Sequence, residues 1–380
     1  MNKTLLATID FPPMVGGVAN YWANLNRHLP SDELIVLAPE FEGSHSFDIH
    51  QNYLIYRKNL ISKKKWFWPK WLPLLIFMYR LVKRENIKTI IAAQVLPIGT
   101  AAYLISKILP IKYIVSVHGM DVKVPKVCSR KYKIMRKVLQ KAEYIIANSQ
   151  FTKGAVEDLG ITSDKIKIVY PCPNIQHTEV DAMLKEDIIE EYDLENRKIL
   201  MTVGRLVERK GHDRVIQALC QVVKRFPDIL YVIIGKGCNL ANLQCLVNRF
   251  NLKSNVCFLD SVDDDELQVF YDLADVFIMT SRELSSGDVE GFGIVYLEAN
   301  NFKKPVIAGR TGGAVEAVED GVNGLLVDPD NFRDIYKAII KLFKNKEYAQ
   351  CLGENGYERN NNRFNWPSQA EKLGEILAEE

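Results

Sequence analysis

Short runs of apolar, largely β-branched residues alternate with segments of helical periodicity along the whole chain. TLLATI (4–9) leads into a helical pattern from Val18. ELIVLA (33–38) comes next, then KTIIAA (88–93) before a helix from about Gly99, KYIVSV (112–117), and EYIIAN (143–148) before a helix from Thr152. Strands that are apolar throughout and separated by helices predict parallel sheet covered on both faces. The pattern breaks at YPCPN (170–174), a rigid, turn-forming stretch, and an acidic segment follows to Asn196. It restarts with KILMTV, ILYVII, NVCFL, DVFIMT, KPVIAG and GLLV, each pair separated by a helical segment. The prediction is an α/β chain of two Rossmann-like domains, residues 1–172 and 198–363, joined by a linker at 173–197 and facing each other across a cleft. The amphipathic end of the chain, within 364–380, is expected to cross back to the first domain. In such sheets ligands bind beyond the carboxyl ends of the strands, so chemistry is expected just after a strand.

Length agrees, since 380 residues suit two domains that each bury a core. The net charge of +2 conceals a polarity: residues 1–172 carry 25 Lys/Arg against 12 Asp/Glu, and 173–380 carry 24 against 35. The two halves therefore meet different partners or each other. Seven cysteines without a C-x-x-C pair or metal-ligand spacing fit a reducing compartment rather than a disulfide framework or a zinc site. The opening MNKTLLATIDFPP is too short an apolar run for a signal peptide, and no stretch approaches the ~20 apolar residues of a spanning helix, so a cytoplasmic location is expected.

Four places meet the strand-end criterion. Gly16 and Gly17 follow the first strand and precede a helix, where a phosphate could approach the backbone; a tight turn without function has the same appearance. His118 ends a β-run and is followed by Gly119; it is either a structural histidine or one facing the cleft. Arg205 lies just past a strand with Lys210 five residues on; they are either solvated cations or a fork and a point charge gripping a diphosphate. The fourth is SSGDVEGFGIVYLEA (285–299), in which Gly291 and Gly293 put Glu290 in a loop and start a helix near Gly293, with Glu298 about a turn and a half inside it. A helix start offers free N–H groups and a positive dipole end, so the stretch reads as an anion site with an acid on each side.

On these residues the chain resembles the retaining GT-B glycosyltransferases of family four, most closely the phosphatidylinositol mannosyltransferase B-like members. The motifs are Gly16-Gly17, His118-Gly119, GRLVERKG, GDVEGFGIVYLEA with Glu290 and Glu298 as E-x7-E, and AGRTGGAVEAVEDGVNGLLVDP. The resemblance implies a nucleotide-sugar donor held chiefly by the second domain and an acceptor bound chiefly by the first. It puts Glu290 beside the donor sugar's hydroxyls, the backbone of Phe292, Gly293 and Ile294 against the sugar or phosphate, and Glu298 on the ribose. Gly235, Val262 and Asp263 join Gly16 and Gly17 in the implied donor set, and His118 lies near the sugar and diphosphate.

Cleaving a sugar from a nucleoside diphosphate develops negative charge on the leaving phosphate. Arg205, Lys210 and the helix start at Gly293 meet that need, so no metal is expected. Asp263 and Asp265 in SVDDDEL read as acids at a helix start rather than as a metal-binding pair. With no carboxylate set as a covalent nucleophile, front-face substitution with retention is expected, the departing phosphate taking the acceptor proton and His118 orienting the sugar. The preferred donor is GDP-mannose, by likeness to the mannosyl members and because Asp263, Asp264 and Asp265 could accept from guanine's N1–H and N2 amino group. The alternatives are that these acids cap a helix and that the donor is a UDP-hexose.

Between Arg57 and Lys88 the basic half carries ten cations against one acid, Glu85, centred on KKKWFWPKWLPLLIFMYR. Lys63, Lys64, Lys65, Trp66, Trp68 and Trp71 have the composition of an interfacial anchor. A second cluster at 123–141 holds eight cations and no acid. An anionic membrane surface and a lipid-borne or glycan acceptor are the expected partners; a solubilising face and a nucleic-acid patch are the rival readings, and the latter leaves the nucleotide-sugar motifs unexplained. A sugar-nucleotide 2-epimerase and a non-catalytic nucleotide-sugar-binding subunit are the competing functions.

Overall fold

The computed structural model describes residues 3–14, 16–123, 129–175 and 180–379. The chain divides into two compact units, one of residues up to Pro171 together with those from Asn365 onward, the other Cys172–Phe364.

In the first unit β1 (Thr4–Ala7), β2 (Leu34–Pro39), β3 (Leu54–Lys58), β4 (Thr89–Ala92), β5 (Lys112–Val117), β6 (Ile145–Ala147) and β7 (Ile166–Ile168) form one sheet. Its order is β3-β2-β1-β4-β5-β6-β7. Pairing is parallel, with Leu5 opposite both Ile35 of β2 and Ile90 of β4. Every residue of β1 and β4 is buried, whereas the edge strand β3 is partly exposed. This is why the central strands read as unbroken apolar runs: a parallel strand with helices on both faces has no wet side.

The second unit repeats the plan with β8 (Lys198–Val203), β9 (Ile229–Ile234), β10 (Val256–Leu259), β11 (Val276–Met279), β12 (Val306–Gly309) and β13 (Gly324–Val327). The order is β10-β9-β8-β11-β12-β13, again parallel. Leu200, Tyr231, Ile233, Ile278 and Ile307 of its strands pack against Val215, Leu219 and Ile339 of the covering helices.

The linker expected at 173–197 is corrected by the structure. Asp181 caps a helix, Ala182–Glu191, by accepting from the N–H groups of Met183 and Leu184. Ile188 of that helix is buried, and Lys185 pairs with Asp272 at 2.6 Å. The segment is thus part of the second unit.

The last helix, Trp366–Ala378, belongs to the first unit. Asn365 caps it by accepting from Ser368 N. Gln369 Oε1 accepts from Tyr170 N at 2.9 Å, and Trp366 packs edge-on to Tyr21 at 6.1 Å. Tyr21 in turn donates its hydroxyl to the Val169 carbonyl.

Candidate active site

In the second sheet the chain runs from β8 outward to β9 and β10, and from β11 outward to β12 and β13, so the order reverses between β8 and β11. Loops leaving the carboxyl ends of those two neighbours diverge and leave a crevice, which is where a ligand is expected in an open parallel sheet. The two loops, 204–211 and 280–293, touch here. Gly211 has φ +78°, and a Cβ there would stand 2.1 Å from the Thr280 carbonyl oxygen, so only glycine fits. Thr280 Oγ1 donates to Gly211 O, and Arg282 N donates to Arg209 O at 2.8 Å.

That contact brings cations and acids together. Lys210 Nζ lies 2.6 Å from Glu290 Oε2 and Arg209 Nη1 lies 2.7 Å from the same oxygen. Arg209 Nε is 3.0 Å from Asp288 Oδ1, and Lys210 Nζ also contacts Met279 Sδ at 3.2 Å. Burial alone would raise the Glu290 carboxyl, but Lys210 and Arg209 outweigh it and hold the group at about 2. Burial, with Arg209 and Arg205 nearby, lowers Lys210 against the pull of Glu290. Arg205 is exposed and makes no side-chain hydrogen bond or ion pair among the described residues. The expected Arg205–Lys210 pair is therefore one exposed and one buried cation, and the partner that sequence reasoning missed is Arg209. Beside Lys210 it reads as one more solvated charge, because its acids lie about 80 positions away.

Glu290 precedes, and Glu298 lies within, the helix Ile294–Asn301, whose cap, Gly293, has φ +92° and makes no side-chain capping bond. A Cβ at Gly293 would meet the Tyr296 ring at 2.5 Å. Glu298 is buried on this helix, accepting from Tyr271 OH at 3.0 Å and from Asn174 Nδ2 at 3.3 Å. Burial raises its pKa, partly offset by those two bonds. Phe292 is buried edge-on to Phe364. Gly312 and Gly313 press against this loop: a Cβ on either would fall 2.3 Å from Glu290 O or 1.9 Å from Gly291 O.

Gly235, after β9, sits against Gly204, with a Cβ there 2.2 Å from Gly204 O. Val262 and Asp263 follow β10, one strand further out. Asp263 is exposed, and its Oδ1 accepts from Asp265 N and Glu266 N as the cap of the helix Asp264–Leu273. Capping is thus what Asp263 does within the chain. Among the described residues no group of three or more His, Cys, Asp or Glu could hold a metal ion.

The first sheet reverses between β1 and β4. Here Gln94 Nε2 donates to Asp10 Oδ2 at 3.0 Å, joining the loops after those strands. His118, after β5, has Nε2 3.1 Å from Ser116 Oγ and the Tyr21 ring edge-on at 5.5 Å. Its backbone N–H donates to Asp121 Oδ1 at 2.9 Å, while Asp121 Oδ2 is buried without a hydrogen-bond partner among the described residues. Burial lowers the His118 pKa, opposed by Asp121, the Ala93 carbonyl and Asp10, so the ring is neutral at pH 7. Gly16 caps the helix Gly17–Arg27 in an extended conformation, and a Cβ on Gly16 or Gly17 would meet nothing within 4 Å. Neither glycine is demanded by packing in the described residues. Lys63, Lys64 and Lys65 are exposed, as are Trp66 and Trp68; Trp71 differs from them, half-buried and packed on the hydrophobic core at the head of the helix Leu72–Arg84.

Two family models match adjoining stretches: Glycosyltransferase Family 4 over residues 15–177 and Glycosyl transferases group 1 over 185–359. The GDP-mannose-dependent alpha-(1-6)-phosphatidylinositol monomannoside mannosyltransferase of Mycolicibacterium smegmatis is 29% identical over 387 residues, 98% of each chain. The GDP-mannose-dependent monoacylated alpha-(1-6)-phosphatidylinositol monomannoside mannosyltransferase of Corynebacterium glutamicum is 27% identical over 100% of this chain and 98% of its own. Among solved structures, Anabaena HepE in complex with UDP and glucose superposes with a TM-score of 0.83 at 20% identity, over 100% of both chains.

Proposed function

Since the chain belongs to the GT-B glycosyltransferases, we propose that it transfers mannose from GDP-mannose, with retention, to a lipid-borne or glycan acceptor at a membrane surface. The observation that carries this reading is the buried Arg209–Lys210–Glu290 cluster at the reversal point of the second sheet, beside the uncapped helix start at Gly293. The leaving diphosphate needs fixed positive charge that does not reorganise during the reaction. Lys210 has three N–H donors, of which Glu290 and Met279 engage two, and Arg205 reaches out as a free fork. Helix N–H groups at 294 and 295 add the dipole end.

Glu290, held at about 2, is ionised throughout the physiological range. It can accept from sugar hydroxyls but cannot serve as a general acid. Two cations on one oxygen also make it a poor nucleophile, which supports front-face departure over a covalent intermediate. His118 is neutral and oriented by Ser116, suited to a hydrogen bond with a sugar hydroxyl. Cations in place of a metal support metal-independent turnover: EDTA should leave activity unchanged, and loss restored by magnesium would overturn this part.

The donor reading is supported by relatives matching along nearly the whole chain that are named for GDP-mannose, and the lipid acceptor by the phosphatidylinositol mannosides in their names. Calorimetry tests it: GDP should bind at least about tenfold tighter than UDP, ~1.4 kcal/mol. Equal or tighter UDP binding would replace mannose with a UDP-linked hexose. Product mass and the anomeric coupling of the new linkage, with GDP-mannose and a lipid extract, test transfer and retention.

A further inference from the structure

Asp288 lies two positions before Glu290 and shares its partner. Arg209 Nε stands 3.0 Å from Asp288 Oδ1, and Arg209 Nη1 stands 2.7 Å from Glu290 Oε2. Val289, between the two acids, is 1% exposed, so the segment turns an apolar side chain to the core and the acids on either side of it to one guanidinium. The backbone that carries them is fixed at both ends. Leu284 N donates to Asp288 O at 2.9 Å and Gly287 N to Leu284 O at 2.8 Å, closing a turn in which Gly287 has φ +82°. Gly313 N donates to Glu290 O at 2.9 Å.

Each acid has one oxygen held by the cations and one that is not. Glu290 Oε2 accepts from both Arg209 and Lys210, and Oε1 takes no hydrogen bond among the described residues. Asp288 Oδ1 is buried against Arg209, in a contact not aligned as a hydrogen bond, while Oδ2 takes no hydrogen bond among the described residues and the side chain is 29% exposed. An ionised carboxylate only accepts, so both open oxygens call for donors.

The simplest role for Asp288 is counter-ion to a buried arginine. The charge balance argues for more. Arg209 and Lys210 set against Glu290 alone would leave a net positive charge for a diphosphate, and Asp288 cancels it. An acid so placed weakens the hold on an anion. Its benefit lies with a part of the ligand that is neutral and donates hydrogen bonds, and on the reading above that part is the hexose beside Glu290.

We propose that Asp288 is a second sugar-recognising carboxylate: Arg209 holds it beside Glu290, and its open oxygen accepts from a hydroxyl of the donor hexose other than the one Glu290 takes. Two acceptors fixed by one guanidinium select a sugar with free hydroxyls at both places, because a sugar lacking either leaves a carboxylate unpaired. The proposal rests on the nucleotide-sugar reading and deepens it by naming a specificity-determining residue of the same site.

The test is calorimetry of the full chain with a nucleoside diphosphate, its hexose conjugate and the monodeoxy forms of that hexose. D288N should bind the hexose conjugate about tenfold more weakly than wild type, the scale of one hydrogen bond to a charged group. It should bind the bare diphosphate as tightly or tighter, since the cluster has lost a negative charge. One monodeoxy conjugate, weakened about tenfold in wild type, should bind D288N no more weakly than the full hexose does, because its partner is already missing. E290Q should couple in the same way to a different hydroxyl. D288A, which puts no amide in place of the carboxylate, should repeat the D288N pattern, and its retained affinity for the diphosphate shows that the site is folded. Equal weakening of diphosphate and conjugate would reduce Asp288 to a counter-ion and overturn the proposal, as would losses that add at every hydroxyl. The series is run on GDP-mannose and on UDP-glucose, which separates the two readings. Tighter UDP-glucose with coupling at Asp288 loses the mannose reading and keeps this one; tighter GDP-mannose with additive losses does the reverse.

Discussion

The two units present opposite kinds of charge. In the second, Arg209, Lys210 and Glu298 are buried and Glu290 nearly so, all bonded to one another or to neighbours before any ligand arrives. In the first, the cations of the helices Leu72–Arg84 and Ser129–Lys141 stand in solvent, and among the described residues nothing lies within 4 Å of a Cβ added at Gly16 or Gly17. A buried network recognises one ligand in one pose, because any misfit leaves a desolvated group unpaired. Solvated charges on long side chains recognise a density of charge and tolerate many arrangements. A ligand of fixed structure and a surface of varying arrangement call for these two different solutions.

Removing Lys210 strikes the buried network hardest. K210A should reduce kcat by about 10²–10³, the scale for one preorganised charge stabiliser. A change confined to KM would show that Lys210 acts on bound donor and transition state alike, and would place it with the adaptable charges of the first unit.

The network also carries a pH signature. With a folded pKa of about 2 against an ordinary 4.5, Glu290 contributes stability that is fully present above about 4.5 and is lost as pH falls toward 2. Urea unfolding of the second unit should lose about 3 kcal/mol over that interval from this group. E290Q should flatten the slope; an unaltered slope would mean that the ion pairs do not persist in solution. Glu298 works in the opposite sense: its raised pKa makes its contribution fade as pH rises, so E298Q should leave stability at pH 7 unchanged or higher.

Backbone demands differ in the same way. G211A, at φ +78° and against the Thr280 carbonyl, should destabilise by about 2–3 kcal/mol in denaturant melts. D263A should lose about 1 kcal/mol through the helix cap. If its GDP affinity also falls, Asp263 reads the base as well as capping the helix. The smallest effect belongs to the first unit: G16A should change stability by less than about 0.5 kcal/mol, since none of the described residues lies within 4 Å of the added carbon. Any drop in its kcat/KM then reports a close approach by donor or acceptor.

How legible these features are in sequence follows from how local their causes are. The strands are plain because a doubly covered parallel strand is apolar at every position, as in ILYVII, buried throughout. The helix start at Gly293 is plain because its glycines are local. The helix Ala182–Glu191 is hidden: its acids surround a single buried residue, Ile188, and leave little periodic stripe. Arg209 is hidden for a different reason, since its meaning depends on Asp288 and Glu290 arriving from another strand end. Asp10 and Gln94 escape notice likewise, joined only by the adjacency of β1 and β4. Trp71 shares its sequence context with Trp66 and Trp68, and only the packing of the following helix separates it from them.

The return of the last helix to the first unit makes that unit discontinuous and the other a contiguous insertion within it. Residues 172–364 can be lifted out as one length of chain with both ends free, whereas the remainder cannot be made without a splice across the gap. A break in translation or proteolysis just after Phe364 would therefore spare every bond of the Arg209–Lys210–Glu290 cluster and strip Gln369 and Trp366 from Tyr170 and Tyr21. Truncation at this end reads out in the half of the molecule that was synthesised first.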